Sequence, residues 1–160
     1  MEKSAEQPKA GTTGFPRGSY TAKVDGKGRL SLPTVFQEFF GEEKLFVTSL
    51  DMRVARIYPL SLWEQNETLL YDATEDPEVA EDIAFTASHY GADADIDSQG
   101  RVLLPTELRR ALNLESQTVW LDRFQGGVNV YGKEVYEERL RRATDNLPAK
   151  LIAMKKRGLK

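Results

Sequence analysis

Two copies of one stretch, VDGKGRLSLPT at residues 24–34 and IDSQGRVLLPT at residues 96–106, decide the fold of this 160-residue chain. Asp, Gly, Arg, Leu, Pro and Thr recur at matching positions, and the step from Asp25 to Asp97 is 72 residues. Downstream, Tyr58 matches Tyr131 and Trp63 matches Tyr136, both at a step of 73 residues. Landmarks in the same order and nearly the same register indicate an internal duplication. The chain is therefore expected to contain two copies of one structural unit.

Each copy predicts a strand, a tight turn and a second strand, because short alternating apolar stretches flank the motif. Pro33 and Pro105 suit the first turn of a short helix, which we expect at 34–40 and 106–112. Further β-rich runs lie at 44–48 with 54–58 and at 118–122 with 128–131. Gly126-Gly127 supplies the turn of the second pair. The expected fold class is α+β, with two tandem units related by a pseudo-twofold axis within the chain.

Three further helices are expected. A capping box at Ser61 opens the first. The second begins at Asp76-Pro77 and turns an apolar face inward. That face consists of Val79, Ile83 and Ala87. The third covers about 133–144, with an inward face of Val135, Tyr136, Leu140 and Ala143.

The domain organisation follows from these elements. The two units are expected at 15–75 and 92–145, with a linking helix at 76–91. Residues 1–14 are expected to form a disordered extension, and residues 146–160 a basic tail that is loosely ordered from Leu147 onward.

Composition restricts the function classes. The chain has no cysteine and one histidine, which excludes a disulfide framework and a zinc–cysteine site. His89 stands alone, no P-loop or G-x-G-x-x-G occurs, and the acidic run before the second motif lacks the glycine and glutamate of a calcium loop. We expect no enzyme, cofactor or metal. There is no secretory signal and no apolar run near the roughly 18 residues of a membrane span, which favours a cytoplasmic protein.

The charge distribution allows a nucleic-acid partner despite a net charge of −3. Residues 1–36 carry +3, residues 37–100 carry −12 and residues 101–160 carry +6. This asymmetry permits a basic face on an acidic protein.

The D-x-x-G-R motif has a chemical rationale of its own. Asp25 can accept backbone N–H groups and fix the turn, and Gly28 allows a positive φ. Arg29 then stands on a rigid platform, from which its guanidinium can bind a guanine edge or a phosphate with two hydrogen bonds. Lys27 adds a point charge for phosphate. The same argument applies to Asp97, Gly100 and Arg101. Alternatively, each arginine pairs with the aspartate of its own turn as a structural lock.

The two copies differ in charge. Lys23 and Arg17 precede the first turn and add to its positive charge, whereas the second turn has Gln99 in place of the lysine. Asp93 and Asp95 also precede the second turn. We therefore expect the first copy to be the stronger nucleic-acid contact, and the second to be partly structural or intersubunit.

Two other binding classes remain open. A protein-binding scaffold without DNA affinity would use the acidic middle of the chain as its surface. RNA binding through the basic tail is the weaker alternative, because RNA-binding modules usually offer exposed aromatic platforms for stacking.

Over residues 15–145 the chain resembles the MraZ family. The resemblance rests on Phe15 to Tyr20, both D-x-x-G-R motifs, Tyr58-Pro59 and Trp63-Glu64. It implies a doubled SpoVT-AbrB domain, in which two swapped-hairpin β-barrel units with short helices follow one another. It also implies a cytoplasmic, nucleoid-associated regulator, expected to be a repressor, of the bacterial division and cell-wall gene cluster including its own operon.

The resemblance further implies a ring-shaped homo-oligomer that binds tandem repeats in promoter DNA. Carried onto this chain, it makes Arg29 the base-reading residue, with Lys27 and Arg17 as supporting contacts. Several weak modules on spaced repeats would gain avidity, because later contacts become intramolecular.

Overall fold

A computed structural model describes residues 16–160 of the chain. The first unit contains, in order, β1 (Tyr20–Lys23), β2 (Arg29–Ser31), α1 (Thr34–Phe40), β3 (Leu45–Thr48), β4 (Ala55–Pro59), α2 (Leu60–Tyr71) and α3 (Pro77–Tyr90). The second contains β5 (Ala92–Ala94), β6 (Arg101–Leu103), α4 (Thr106–Ala111), β7 (Thr118–Phe124), β8 (Gly127–Tyr131), α5 (Lys133–Thr144) and α6 (Leu147–Lys155). The same element order occurs twice, which confirms the predicted α+β fold of two repeated units. The predicted disordered extension at 1–14 lies outside the described residues.

The two units exchange strands. The large sheet has the order β1-β7-β8-β4-β3-β5. Strands that are equivalent in the two units therefore lie at the same distance from opposite edges of the sheet. Strand β1 of the first unit pairs with β7 of the second, and β5 of the second pairs with β3 of the first. Strands β2 and β6 pair antiparallel in a separate two-stranded sheet, which we call the ribbon. Because each unit completes the sheet of the other, the two fold as one interlocked body.

One hydrophobic core lies beneath the ribbon. Leu30 and Val102 of the ribbon, Phe36 of α1 and Leu108 of α4 are all fully buried in it. Burial of such a side chain contributes about 1.5–3 kcal/mol. The inner face of the ribbon is therefore anchored, and only its outer face meets solvent.

The predicted loose tail is wrong in its first part. Residues 147–155 form α6, which starts after Asn146 in a left-handed conformation and has a proline in its first turn. Lys150 Nζ lies 3.3 Å from the Arg142 carbonyl oxygen and 3.4 Å from that of Ala143, and donates to both. These bonds add a cationic donor at the end of α5, where the Arg142 carbonyl oxygen also accepts the backbone N–H of Asp145 at 3.4 Å. They join the start of α6 to the end of α5, although every residue of α6 is exposed.

The predicted capping box at Ser61 is also wrong. Helix α2 begins one residue earlier, at Leu60, and Pro59 precedes it without a capping side chain. The Ser61 hydroxyl instead donates to the Glu43 carboxylate, at 2.5 Å. The Ser61 hydroxyl therefore binds a residue distant in the sequence and does not cap the helix.

The predicted inward faces of two helices are confirmed at Ala87 and Tyr136 but wrong at Val79 and Leu140. Val79 is 57% exposed and Leu140 is 53% exposed. Helix α3 packs through the small side chains of Ala80 and Ala87, which permit close approach and turn Val79 outward. Helix α5 packs through Tyr136, whose ring stacks on Trp120 at 5.3 Å between ring centres. No helix within residues 16–160 has the length and apolar character that crossing a membrane requires.

Candidate nucleic-acid interface

The ribbon brings the two motif copies side by side. Leu30 lies opposite Val102 on the inner face, whereas Arg29 lies opposite Leu103 and Ser31 lies opposite Arg101. Side chains alternate between the faces of a strand, so these last two pairs share the outer face. The outer face of the ribbon thus consists of Arg29, Ser31, Arg101 and Leu103. The two arginines are diagonal neighbours, which places their Cα atoms roughly 7–8 Å apart.

The first turn is held by the Asp25 carboxylate. Its Oδ1 accepts the backbone N–H groups of Lys27 and Arg29, both at 2.9 Å. Gly28 has a φ of +87°, a conformation that costs other L-residues roughly 1–2 kcal/mol. The backbone N–H of Gly28 donates to the Asp25 carbonyl oxygen at 3.0 Å and closes the turn.

The second turn repeats this geometry. Asp97 Oδ1 accepts the backbone N–H groups of Gln99 at 2.8 Å and Arg101 at 2.9 Å. Gly100 has a φ of +78°. The duplicated sequence therefore produces a duplicated turn.

Each motif arginine binds the aspartate of its own turn and still leaves part of its guanidinium accessible to a ligand. Arg29 Nε donates to Asp25 Oδ2 at 2.9 Å, and Arg101 Nε donates to Asp97 Oδ2 at 3.1 Å. The arginine side chains keep 34% and 26% of their exposure. Within residues 16–160, the Nη groups of both guanidiniums make no hydrogen bond. A bidentate contact to a guanine edge or a phosphate uses two such N–H groups. The two alternatives drawn from the sequence are thus compatible, because the same arginine can pair with its turn aspartate through Nε and offer its Nη groups to a ligand.

The turn carboxylates stay ionised at neutral pH. The backbone N–H of Arg29 is the main cause that lowers the pKa of Asp25, against an opposing effect of desolvation. The backbone N–H of Arg101 lowers the pKa of Asp97 in the same way. Each Asp–Arg pair is therefore neutral as a whole. An interaction with an anion here depends on the direction of the Nη–H groups and on neighbouring cations such as Lys27.

Two further residues support the turns, and neither was predicted. A Cβ added to Gly28 would lie 2.4 Å from Arg109 Cδ, and one added to Gly100 would lie 2.4 Å from Gln37 Nε2. Arg109 Nη1 donates to the Leu104 carbonyl oxygen at 2.6 Å. Gln37 Nε2 makes the equivalent bond to the Leu32 carbonyl oxygen at 2.8 Å. The internal repeat could have indicated both residues, because Gln37 and Arg109 are also 72 residues apart and occupy equivalent positions.

These contacts cross between the motif copies. Arg109 belongs to the second unit and covers the glycine of the first turn, while Gln37 of the first unit covers the glycine of the second. The backbone bonds do the same: Leu104 N donates to the Gly28 carbonyl oxygen at 2.9 Å, and Leu32 N to that of Gly100 at 3.0 Å. Each turn is thus fixed by the other unit, which makes the ribbon and its two ends rigid.

Of the remaining predicted site residues, the two lysines lie at the first turn and Arg17 does not. Lys27 is exposed on the turn itself, and Lys23 is exposed at the end of β1 that enters it. Arg17 is exposed at the other end of β1, which spans roughly 13 Å. Lys23, Lys27 and Arg29 lie at the first turn, and Arg101 is the diagonal neighbour of Arg29 across the ribbon. Arg17 is set apart from them by the length of the strand.

Comparison with known proteins gives consistent matches. The chain matches the model of the family described as "MraZ protein, putative antitoxin-like" over residues 15–82 and 91–157, and the second stretch includes α6. It is 35% identical over 125 residues to the "Transcriptional regulator MraZ" of Acidobacterium capsulatum, covering 76% of this chain and 79% of the relative. It is 32% identical over 129 residues to the protein of that name from Desulfitobacterium hafniense strain Y51, covering 80% and 88%. The relative in Koribacter versatilis is 30% identical over 105 residues, covering 63% and 71%.

Proposed function

Since the chain belongs to the MraZ family, whose curated relatives are named transcriptional regulators and not enzymes, we propose that it binds promoter DNA sequence-specifically through the ribbon. We further propose that it represses the division and cell-wall gene cluster, including its own operon, and acts at the nucleoid in the cytoplasm. The family resemblance supports these targets. The ribbon supports the mode of binding.

The observation that carries the proposal is the pair of guanidiniums on the outer face of the ribbon. The major groove of B-DNA admits a two-stranded β-ribbon, and Arg bound to guanine O6 and N7 is the commonest specific contact there. The diagonal spacing of Arg29 and Arg101 is close to two base-pair steps at roughly 3.4 Å each. Because each Nε is held by an aspartate, the Nη groups lose little conformational entropy on binding. Lys27 and Lys23 would contact phosphates beside the first turn.

The proposal is tested with a duplex enriched from a random-sequence library by the wild-type protein. The logarithm of the association constant should fall linearly with the logarithm of salt concentration, because lysines and arginines that bind phosphates displace the counterions of the DNA. Arg29→Ala should weaken binding to the selected duplex by about 5- to 150-fold, which corresponds to 1–3 kcal/mol for one bidentate contact. Arg29→Lys keeps the charge but not the fork of donors, and should recover only a minor part of the loss.

Arg141→Ala serves as the matched control, since Arg141 is an exposed arginine on α5. Circular dichroism checks that all variants fold. If the library yields no enriched sequence, or if Arg29→Ala and Arg141→Ala lose affinity equally, base reading by the ribbon is refuted. Absence of any DNA binding would favour the protein-binding scaffold.

A second variant separates orientation from charge. In Asp25→Asn the amide oxygen can still accept the N–H groups of Lys27 and Arg29, so the turn should persist. The amide nitrogen would face Arg29 Nε, donor against donor, so the guanidinium would lose its orienting bond. We expect affinity for random DNA to rise, because one negative charge is removed. Affinity for the selected duplex should fall by about tenfold. A parallel rise in both affinities, measured by fluorescence anisotropy, would contradict a positioning role for Asp25.

We also propose that the chain acts as a homo-oligomer, built through two helical hairpins of opposite charge. The α2–α3 hairpin, residues 60–90, contains no lysine or arginine and eight acidic residues. These are Glu64, Glu67, Asp72, Glu75, Asp76, Glu78, Glu81 and Asp82. It also exposes large apolar side chains, namely Leu69, Tyr71, Val79 and Phe85.

The equivalent pair of helices in the second unit, α5 and α6, is basic, and we call it the basic hairpin, although α6 packs less closely on α5 than α3 packs on α2. From residue 147 onward it contains five basic residues and no acidic one: Lys150, Lys155, Lys156, Arg157 and Lys160. Helix α6 exposes Leu147, Leu151, Ile152 and Met154. An isolated helix of nine residues is marginal in water, so α6 gains stability from an apolar partner.

The two hairpins complement each other between copies of the chain. A cleft of about 260 Å³ between α2 and α3 is lined by Trp63, Tyr71, Glu67 and Glu81, among others, and suits a cationic or aliphatic side chain. When the basic hairpin of one copy docks on the acidic hairpin of the next, the first and last copies of the row each keep one hairpin without a partner. Such a head-to-tail contact repeats until the assembly closes, which gives a ring when the rotation permits.

A further inference from the structure

Leu103 is exposed on the proposed DNA-binding face, at the end of the ribbon that carries Arg29. It is 54% exposed, on a strand whose neighbouring side chains, Val102 and Leu104, are fully buried. The other large apolar side chains that residues 16–160 expose lie on the helices and their ends, away from the ribbon. Leu103 belongs to neither hydrophobic cluster of the described residues. An apolar side chain beside two arginines is thus more than half exposed and lies outside both hydrophobic clusters of the described residues.

The position of Leu103 relative to Arg29 is fixed by the backbone. The two residues are directly paired across the ribbon, which places their Cα atoms about 4.5–5.5 Å apart. The next residue, Leu104, donates its N–H to the Gly28 carbonyl oxygen at 2.9 Å. Gly28 immediately precedes Arg29, so the same bond ties both sides of the pair. If Arg29 reaches one base edge, Leu103 reaches a base one or two steps away at roughly 3.4 Å per step.

The pseudo-twofold axis makes this feature asymmetric. The position equivalent to Leu103 in the first unit is Ser31, which lies opposite Arg101. One end of the ribbon therefore presents an arginine with a leucine, and the other an arginine with a serine. Ser31 is exposed and can donate or accept a hydrogen bond, whereas Leu103 can do neither.

We propose that Leu103 reads the C5-methyl group of a thymine next to the base bound by Arg29. This inference rests on the proposed DNA-binding function. In the major groove the thymine methyl is the apolar feature of the base edges, and apolar side chains recognise it. Ser31 gives the other half of the ribbon a polar contact instead. The DNA site of one chain is therefore an imperfect palindrome, with a thymine required in only one half.

The test removes the methyl group alone. Each thymine of the library-selected duplex is replaced in turn by deoxyuridine, which keeps the base pair and every hydrogen-bonding group. Affinities are measured for the wild type, Leu103→Ala and Ser31→Ala. At one thymine we expect deoxyuridine to weaken wild-type binding about fourfold, as expected for one buried methyl group. Leu103→Ala should bind both duplexes equally, while Ser31→Ala should keep the full fourfold difference.

Each other outcome is informative. Equal deoxyuridine penalties for the wild type and Leu103→Ala at every thymine would overturn the inference. A change in assembly mass in Leu103→Ala would overturn it too, because Leu103 would then contact a second copy of the chain. Failure of the proposed function looks different, since the wild type would then select no sequence and the duplex could not be made.

Discussion

Reversing the charge of the last residue of α6 and of the two residues after it is expected to separate the assembly into single chains that remain folded. In Lys155→Glu/Lys156→Glu/Arg157→Glu, three cations of the basic hairpin become acidic and would repel the acidic hairpin of the next copy. Within residues 16–160 none of the three side chains has a hydrogen bond or an ion pair. The fold should therefore persist. Native mass spectrometry and circular dichroism measure both properties.

The loss of assembly should cost far more on repeated DNA sites than on one. Linked modules gain avidity of roughly 10²–10⁴, and a single chain forfeits it. We expect affinity for a duplex with several spaced copies of the selected site to fall by about that factor. Affinity for a duplex with one copy should change little. Comparison of the two duplexes by anisotropy separates avidity from direct contact.

A complementary variant provides the control. Glu78→Lys/Glu81→Lys/Asp82→Lys reverses the acidic hairpin and should also yield single chains. In an equal mixture of the two triple variants every contact between unlike copies is complementary, because the acidic tail of one meets the basic α3 of the other and the native basic tail meets the native acidic hairpin. The mixture should therefore restore an assembly in which the two variants alternate. An unchanged assembly mass in either variant would contradict head-to-tail docking. Weaker single-site binding with intact assembly would instead assign α6 to the DNA.

Gly28→Ala is expected to destabilise the fold by about 3–5 kcal/mol, combining a left-handed backbone cost of 1–2 kcal/mol with the loss of a charge-assisted hydrogen bond. The new Cβ would lie 2.4 Å from Arg109 Cδ. Arg109 has little room to move, because its side chain is 11% exposed and its Nε lies 2.6 Å from Glu115 Oε2. The loss is a large share of a typical stability of roughly 5–15 kcal/mol. Urea unfolding followed by circular dichroism measures it.

Gly18→Ala separates the two causes. Gly18 has a φ of +92°, close to that of Gly28, but nothing lies within 4 Å of its added Cβ. It should lose only the backbone cost. The double variant Gly28→Ala/Arg109→Ala should recover part of the packing loss, since the obstructing side chain is gone. Equal destabilisation by Gly18→Ala and Gly28→Ala would show that the contact with Arg109 is energetically unimportant.

The local features of the site could be predicted because short-range rules govern them. An aspartate that accepts N–H groups two and four residues ahead, and a glycine at positive φ, are properties of a single turn. Both are found at Asp25 and Gly28. The pairing of Arg29 with Asp25 was expected only as an alternative to presentation. The structure shows that Nε alone makes this bond, a distinction that residue spacing does not carry.

The errors arose where tertiary contacts outweigh local preference. Ser61 has the sequence of a capping box, but the Glu43 carboxylate is available to its hydroxyl. Helix α6 has no inward face within the chain, so its pattern indicated little order, yet Lys150 joins it to the end of α5. Small alanines decide which side of α3 packs, and this leaves Val79 exposed.

The sequence by itself determined that two equivalent turns exist and that each ends in an arginine, because the duplication and the turn chemistry are written in adjacent residues. Only the tertiary structure decided that the turns meet in one ribbon and that each glycine lies under a side chain of the other unit. The physical reason is the exchange of strands. Antiparallel partners far apart in the chain are selected by burial of a shared core, and that choice sets which face the two guanidiniums occupy.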